Sequence, residues 1–217
     1  MTKKQIQPVL LKSFKPKTKN QHEYIRAIVE NQITIVVGPA GSGKTKCASA
    51  LGIEYLFHNK VDKLIITRPV VEAGRSIGYL PGDIHSKIMP YMIPIIEELN
   101  GSLPPIVIQN YIKEGKIEIL PLAYARGRNF HNSFIIADEM SNASYDELKL
   151  LLTRIGYNSK MVITGDLKQS DLPIHQQGAL QTICNLLDDT EDIAIIKLYD
   201  IDIIRNPIIS KILERLN

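Results

Sequence analysis

The chain has 217 residues, 44% of them hydrophobic and 23% charged, which is enough apolar material for a core and excludes disorder over the whole length. No run approaches about 18 uninterrupted apolar residues, so a helical membrane span is excluded as well. The net charge of +3 permits a polyanionic partner without requiring one.

Residues Met1 to Asn20 carry six lysines (Lys3, Lys4, Lys12, Lys15, Lys17 and Lys19) and no acid. They read as a basic tail, either a solvated terminus or an arm that contacts nucleic-acid phosphates. No apolar signal region follows Met1, so nothing marks the chain for export. Cys47 and Cys184 lie far apart with no metal-ligand spacing, which fits a cytoplasmic protein better than a zinc or disulfide framework.

From Gln21 to the C-terminus short apolar runs alternate with amphipathic segments, and one domain over 21–217 is expected. Ile33–Val37 reads as a buried strand, followed by a glycine-rich turn and a helix from about Lys44 to His58. Leu64–Thr67 is a second strand, stopped by Arg68-Pro69. Asp83 to Asn100 reads as a helix that Pro90 and Pro94 kink or break. Ile117–Leu120 and Phe134–Asp138 are further strands. Ser144-Tyr145-Asp146-Glu147 fits a capping box that opens a helix to about Arg154. Met161–Thr164 and Ile193–Leu198 are strands with a helix near Gln177–Leu187 between them, and a last helix starts after Pro207. Strands buried on both faces and alternating with helices predict a doubly wound parallel α/β sheet.

The turn after the first strand, Gly38, Pro39, Ala40, Gly41, Ser42, Gly43, Lys44 and Thr45, matches G-x-x-x-x-G-K-[ST] in full. Its glycines let backbone N–H groups converge on a phosphate chain, and the following helix adds its positive end. Lys44 would reach the β- and γ-phosphates of ATP, and the Thr45 hydroxyl would ligate Mg²⁺. The alternative is a glycine-rich turn with an incidental lysine.

Phe134-Ile135-Ile136-Ala137-Asp138-Glu139 is an apolar strand that ends in two acids. Asp138 is the candidate metal carboxylate beside Thr45, and Glu139 the candidate general base for the attacking water. Val162-Ile163-Thr164-Gly165-Asp166-Leu167-Lys168-Gln169 ends another strand, where Gln169 could sense the γ-phosphate or the lytic water. A plain β-turn at Gly165-Asp166 is its alternative.

Together these segments resemble the phosphate-starvation-inducible PhoH-like family, whose ATPase core is similar to the first lobe of superfamily-one helicases. The resemblance is carried by the Gly38–Thr45 loop, Thr67-Arg68-Pro69-Val70-Val71-Glu72-Ala73-Gly74 and Gly78-Tyr79-Leu80-Pro81-Gly82-Asp83. It continues through Tyr124-Ala125-Arg126-Gly127-Arg128, Asp138-Glu139-Met140, Leu152-Thr153-Arg154-Ile155-Gly156, Thr164–Pro173 and Asp202-Ile203-Ile204-Arg205. Two departures stand out. Met140-Ser141-Asn142 replaces the usual Ala-Gln-Asn, and Arg75 follows Gly74 where an acid is usual.

The resemblance implies a three-layer RecA-like P-loop NTPase with a mostly parallel sheet, and ATP hydrolysis coupled to nucleic acid, with single-stranded RNA favoured. It places Gln21 where helicase-like members read adenine, against the alternative of a plain surface glutamine. Arg205 resembles the late arginine that reaches a γ-phosphate, with Arg126, Arg128 and Arg154 as other candidates. Members often carry a further nuclease-like domain or extension, whereas this chain is expected to hold the ATPase core. One lobe supplies half of a two-lobed site, so a head-to-tail homo-oligomer, in the family's manner a hexamer, is expected. The loop Arg68–Gly82 with Tyr79 and the lysine tail are the candidate nucleic-acid contacts. A nucleotide-dependent switch or assembly scaffold with slow turnover is the competing class.

Overall fold

Runs such as Ile33–Val37 and Ser133–Ala137 are buried at every residue, which only a strand covered on both faces achieves. In the computed structural model of the protein, which describes residues 15–69, 93–172, 177–204 and 215, these two and four less completely buried strands form one six-stranded sheet. In chain order the elements are α1 (Lys19–Glu30), β1 (Ile33–Val37), α2 (Lys44–Phe57), β2 (Lys63–Arg68), α3 (Pro105–Lys113) and β3 (Ile117–Pro121). They continue as β4 (Ser133–Ala137), α4 (Tyr145–Leu152), β5 (Lys160–Gly165), α5 (Ala179–Leu187) and β6 (Ile193–Lys197).

The strand order is β3-β2-β4-β5-β1-β6, and every pairing is parallel. The sheet expected to be mostly parallel is therefore wholly so. One face packs Val36, Leu64, Ile66, Phe134 and Val162 against Tyr24 and Ile28 of α1, Leu51 of α2 and Ile108 of α3. The other packs Ile35, Ile65, Ile135 and Ile163 against Leu148 and Leu151 of α4 and Ile183 of α5. Alternation along each strand thus feeds two cores, giving the three-layer α/β fold.

The capping box at Ser144 forms as the sequence predicts, with Ser144 and Glu147 each accepting from the other's backbone N–H. The helix it opens ends at Leu152, two residues before the expected Arg154. Two helices are not anticipated by the sequence. The first, α1, starts at Lys19 under a Thr18 N-cap, so the last residues assigned to the basic tail are already part of the fold. The second, α3, has Pro105 at its start and buries Ile108. Within the expected Asp83–Asn100 helix, residues 93–100 are helical. Its earlier part, residues 70–82, the first 14 residues, Arg205 and the helix after Pro207 lie outside the described residues.

Candidate nucleotide site

The strands end level with one another at one edge. Val37 of β1 aligns with Gly165 of β5 and Lys197 of β6, and Thr67 of β2 aligns with Ala137 of β4. Every turn that leaves these strands therefore opens into the same crevice, where ligands bind in open α/β sheets.

The Gly38–Thr45 loop leaves β1 there and enters α2. Gly38 donates its N–H to the Gly165 carbonyl at 3.1 Å. A Cβ on Gly38 would stand 2.6 Å from the Leu198 carbonyl oxygen, so no other residue fits. Gly43 has φ +90° and caps α2 in the left-handed region, which glycine alone adopts freely. No side chain caps the first turn of α2, which leaves its N–H groups directed at the loop's concavity. Lys44 Nζ donates to the Gly38 and Pro39 carbonyls at 2.6 and 2.9 Å, holding its ammonium across the mouth of that concavity.

The buried Asp138, at the end of β4, is the junction of the site. Its Oδ1 accepts from Thr45 Oγ1 and Thr164 Oγ1, both at 2.7 Å, and its Oδ2 accepts from Arg68 Nη2 at 3.0 Å. Strand β5 lies between β1 and β4, and Thr164 at its end spans that gap. The Thr45–Asp138 pair expected from the sequence is thus in contact, while Arg68 and the bridging role of Thr164 are additions. Sequence gives no direct signal for either, because their contact with Asp138 comes from strand register.

Glu139 follows in a left-handed conformation at φ 56°, with its backbone N–H on Thr164 Oγ1 at 3.3 Å. Its carboxylate lies 3.5 Å from Arg68 Nη2 with a half-exposed side chain. Burial first, and then the Asp138 charge, raise its carboxyl above the usual range against the pull of Arg68 and Lys44. Gln169 lies exposed in the turn after β5, where its N–H bonds the Asp166 carbonyl. That turn, together with Gly38, Pro39 and Tyr199, borders a cleft of about 480 Å³.

Gln21 reaches the loop, but its amide is engaged within the chain. It is 3% exposed, donates to the Ser42 carbonyl at 2.9 Å and, at a long 3.5 Å, to the Asp202 carbonyl, and accepts from the Lys17 N–H at 2.8 Å. Tyr24, fully buried, donates its hydroxyl to the Lys44 carbonyl at 3.2 Å, a support that sequence reasoning does not reveal. Two of the candidate arginines are engaged elsewhere. Arg128 forms a two-pronged pair with Glu118 at 2.6 and 2.8 Å, and Arg154 bonds the Arg128 carbonyl and the Thr153 hydroxyl. Arg126 is exposed on the short turn after β3.

Among the described residues no trio of His, Cys, Asp or Glu gathers at one point, and the hard oxygens in contact beside the loop are the Asp138 carboxylate and the Thr45 hydroxyl. Such a sparse set of hard oxygens fits magnesium, which is commonly held by one or two carboxylates and completed by phosphates and water. None of the helices, among the described residues, is long and apolar enough to cross a membrane.

A family model described as PhoH-like protein matches residues 13–217. A PhoH-like protein of Synechocystis is 43% identical over 198 residues, covering 91% of this chain and 60% of the relative. One of Bacillus subtilis is 40% identical, over 94% and 64%. Protein PhoH of Escherichia coli is 36% identical, over 89% and 55%. The chain therefore spans between 55% and 64% of the length of these curated relatives. Among solved structures, the UvsW helicase from bacteriophage T4 gives a TM-score of 0.54 at 12% identity, over 85% of this chain and 61% of that one. The large terminase from a thermophilic bacteriophage gives 0.57 at 10% identity, over 94% and 51%. At such identities the likeness speaks for the fold alone. A family match that runs through every strand of the sheet and through the whole phosphate loop leaves one assignment: the chain belongs to the PhoH-like protein family.

Proposed function

We propose that this protein binds and hydrolyses ATP with magnesium and couples that turnover to nucleic acid, single-stranded RNA above all, as a ring homo-oligomer of hexameric size. The observation that carries the reading is Asp138, a buried carboxylate in contact with the hydroxyl of the phosphate-loop Thr45, with Glu139 beside it. In this reading the α2 N-terminus and the loop N–H groups that follow Pro39 receive the phosphates, and Lys44 exchanges its loop carbonyls for phosphate oxygens. Thr45 and Asp138 would hold the magnesium, which would supply neutralisation of the phosphate charge.

Glu139 takes the proton of the attacking water, a task its raised carboxyl pKa suits. Gln169 orients that water, and Arg205, acting in cis or across a subunit boundary, stabilises the transferring phosphoryl group. The ring reading draws support from the exposed Tyr199 beside the 480 Å³ cleft, with Ile201 exposed two residues further along the chain. A neighbour placed there would complete the half-site.

Hydrolysis is favoured over a slow switch by the base: a switch needs no carboxylate with a raised pKa next to the metal carboxylate. Phosphate release from ATP with magnesium, with and without single-stranded RNA or DNA, tests the reading alongside the oligomer mass. Turnover stimulated by RNA in a multi-subunit species is expected. Nucleotide binding with unmeasurable turnover under every nucleic acid would leave the switch in its place.

A further inference from the structure

The two arginines engaged away from the nucleotide site, Arg128 and Arg154, meet at the other edge of the sheet. Residues 128–132 lead into the start of β4 and residues 153–159 into the start of β5, and the two segments lie side by side. The Phe130 N–H donates to the Arg154 carbonyl at 2.9 Å, the Gly156 N–H to the Phe130 carbonyl at 2.8 Å and the Asn132 N–H to the Tyr157 carbonyl at 2.9 Å. Because β4 and β5 run from here to the crevice, this ribbon stands a strand's length from the phosphate loop.

The ribbon sets an aromatic ring in solvent. Tyr157 is 82% exposed and stacks on His131, with centroids 5.8 Å apart and planes 19° from parallel. The stack is fixed at its base. His131 Nδ1 accepts the Tyr157 N–H at 3.0 Å, and a Cβ on Gly156 would stand 2.5 Å from that nitrogen and 2.7 Å from the Phe130 carbonyl oxygen. A stack within the chain covers one face of the tyrosine ring and leaves the other to solvent.

Cations surround this ring. Arg154 donates to two neutral oxygens, the Arg128 carbonyl at 3.5 Å and the Thr153 hydroxyl at 3.2 Å, neither of which cancels its charge. Lys149 is exposed in the last turn of α4, and Lys63 is exposed at the start of β2. The carboxylate here is Glu118. The Arg128 hydrogen bonds first, against burial, and then the Arg128 and Lys63 charges hold it below the usual range. Asp62, the neighbour of Lys63, turns to a cleft that it shares with Tyr55 and Asn59. Four cations thus gather around one carboxylate that already has a partner.

We propose that this ribbon is a contact for single-stranded nucleic acid, in which one base stacks on the open face of Tyr157 while Arg154, Lys149 and Lys63 hold adjoining phosphates. The inference rests on the reading of the protein as a nucleic-acid-linked ATPase and adds where the strand is held. Arg128 is a positioning residue: its two-pronged pair with Glu118 and its place 5.1 Å over the Phe130 ring fix the ribbon. A stacking platform beside fixed cations is what holds a strand without reading its sequence. A duplex, whose bases already stack on one another, has no free base face to offer.

The test uses the full chain with a labelled single-stranded RNA, followed by anisotropy. Tyr157→Ala is expected to weaken binding about fivefold or more, the lower end of what one stacked base contributes, while Tyr157→Phe, which keeps the ring, stays within about twofold. Lys149→Gln, at an exposed position, should lower the slope of log Kd against log salt by roughly 0.7, the share of one phosphate contact. Single-stranded DNA should show the same loss in Tyr157→Ala, because its bases stack as well. Duplex RNA should compete poorly, and equal competition counts against stacking. In the wild type, crosslinking through 4-thiouridine RNA and peptide mapping should mark residues 154–158. Wild-type binding that Tyr157→Ala leaves unchanged, or crosslinks confined elsewhere, overturns the inference and leaves the nucleic-acid reading in place. RNA affinity that falls only together with the oligomer mass makes this face a subunit boundary and overturns the inference too. If the wild type binds no nucleic acid at low salt, the nucleic-acid reading falls and this inference with it.

Discussion

Glu139 holds a backbone conformation, φ 56°, that non-glycine residues adopt at some cost. The strain is held by the bond from its N–H to Thr164 and by the short 3-10 turn over Met140–Asn142. The result is a carboxylate lifted beside Asp138 and 3.5 Å from Arg68 Nη2. Glu139→Gln keeps the shape and removes the base. Nucleotide affinity is expected to stay within about threefold, while turnover falls by roughly 10² to 10⁴, as phosphate release and calorimetry would show. The raised pKa fixes the sign of the pH dependence. The base works deprotonated, so turnover is lost as pH falls through a value above the usual glutamate range. The same shift makes the folded state hold its proton longer than the unfolded chain does, so this group weakens stability as pH rises through that window. An acid limb at an ordinary glutamate value would remove Glu139 as the base.

At the scale of elements, α1 belongs to the site as much as the phosphate loop does. Asp202, fully buried, accepts from Thr18 Oγ1 at 2.5 Å, Asn20 Nδ2 at 2.9 Å and the Tyr199 N–H at 2.8 Å. Burial opposes its charge, yet the three donors outweigh burial and hold the carboxyl below its usual range. Its stabilisation is therefore present above the unfolded-state value and lost as pH falls through the folded one. Through Gln21 the same assembly reaches the Ser42 carbonyl of the loop, and through Ile204 the Gly41 carbonyl. Asp202→Ala leaves three partly buried donors unmatched, which costs about 1–3 kcal/mol and, for a chain of this size, lowers Tm by roughly 2–12 °C. Weaker nucleotide binding should accompany it, since the loop loses its brace; a lower Tm with unchanged nucleotide affinity would confine Asp202 to the fold. None of this assembly is legible in the sequence. The strands are, because a strand buried on both faces is a short unbroken apolar run, and Lys44, Thr45, Asp138 and Glu139 are, because a motif or a strand end marks them. Helix α1 hides because it buries Gln21, Tyr24, Ala27 and Ile28, a stripe with a polar member. Helix α3 buries Ile108 alone, too little for a period. Arg68 and Thr164 meet Asp138 across 70 and 26 residues, through strand order and register that composition does not encode.

At the scale of the whole molecule, the level strand ends put the loop between two openings, one of nucleobase size and one of about 480 Å³ bordered by Gln169 and Tyr199. The larger one carries exposed apolar side chains at its rim, Leu167 at 38% and Tyr199 at 55%, with Ile201 at 82% two residues beyond Tyr199. Solvent-exposed apolar groups beside a phosphate site gain most when a second surface covers them. If a neighbouring copy is that surface, a charge placed there should break assembly without touching the fold, because substitutions at so exposed a position usually change stability by less than about 0.5 kcal/mol. Ile201→Asp is therefore expected to leave Tm and single-protomer nucleotide affinity unchanged, shift the mass measured by light scattering from ring to protomer, and lower turnover together with the mass. RNA affinity should fall in parallel, since a ring engages one strand through several copies at once, and in the wild type that affinity should weaken steeply between 50 and 200 mM salt, about 10³-fold if six or more phosphates are contacted. A variant that keeps both mass and turnover would place the subunit boundary elsewhere, and a flat salt response would remove the phosphate backbone as the ligand.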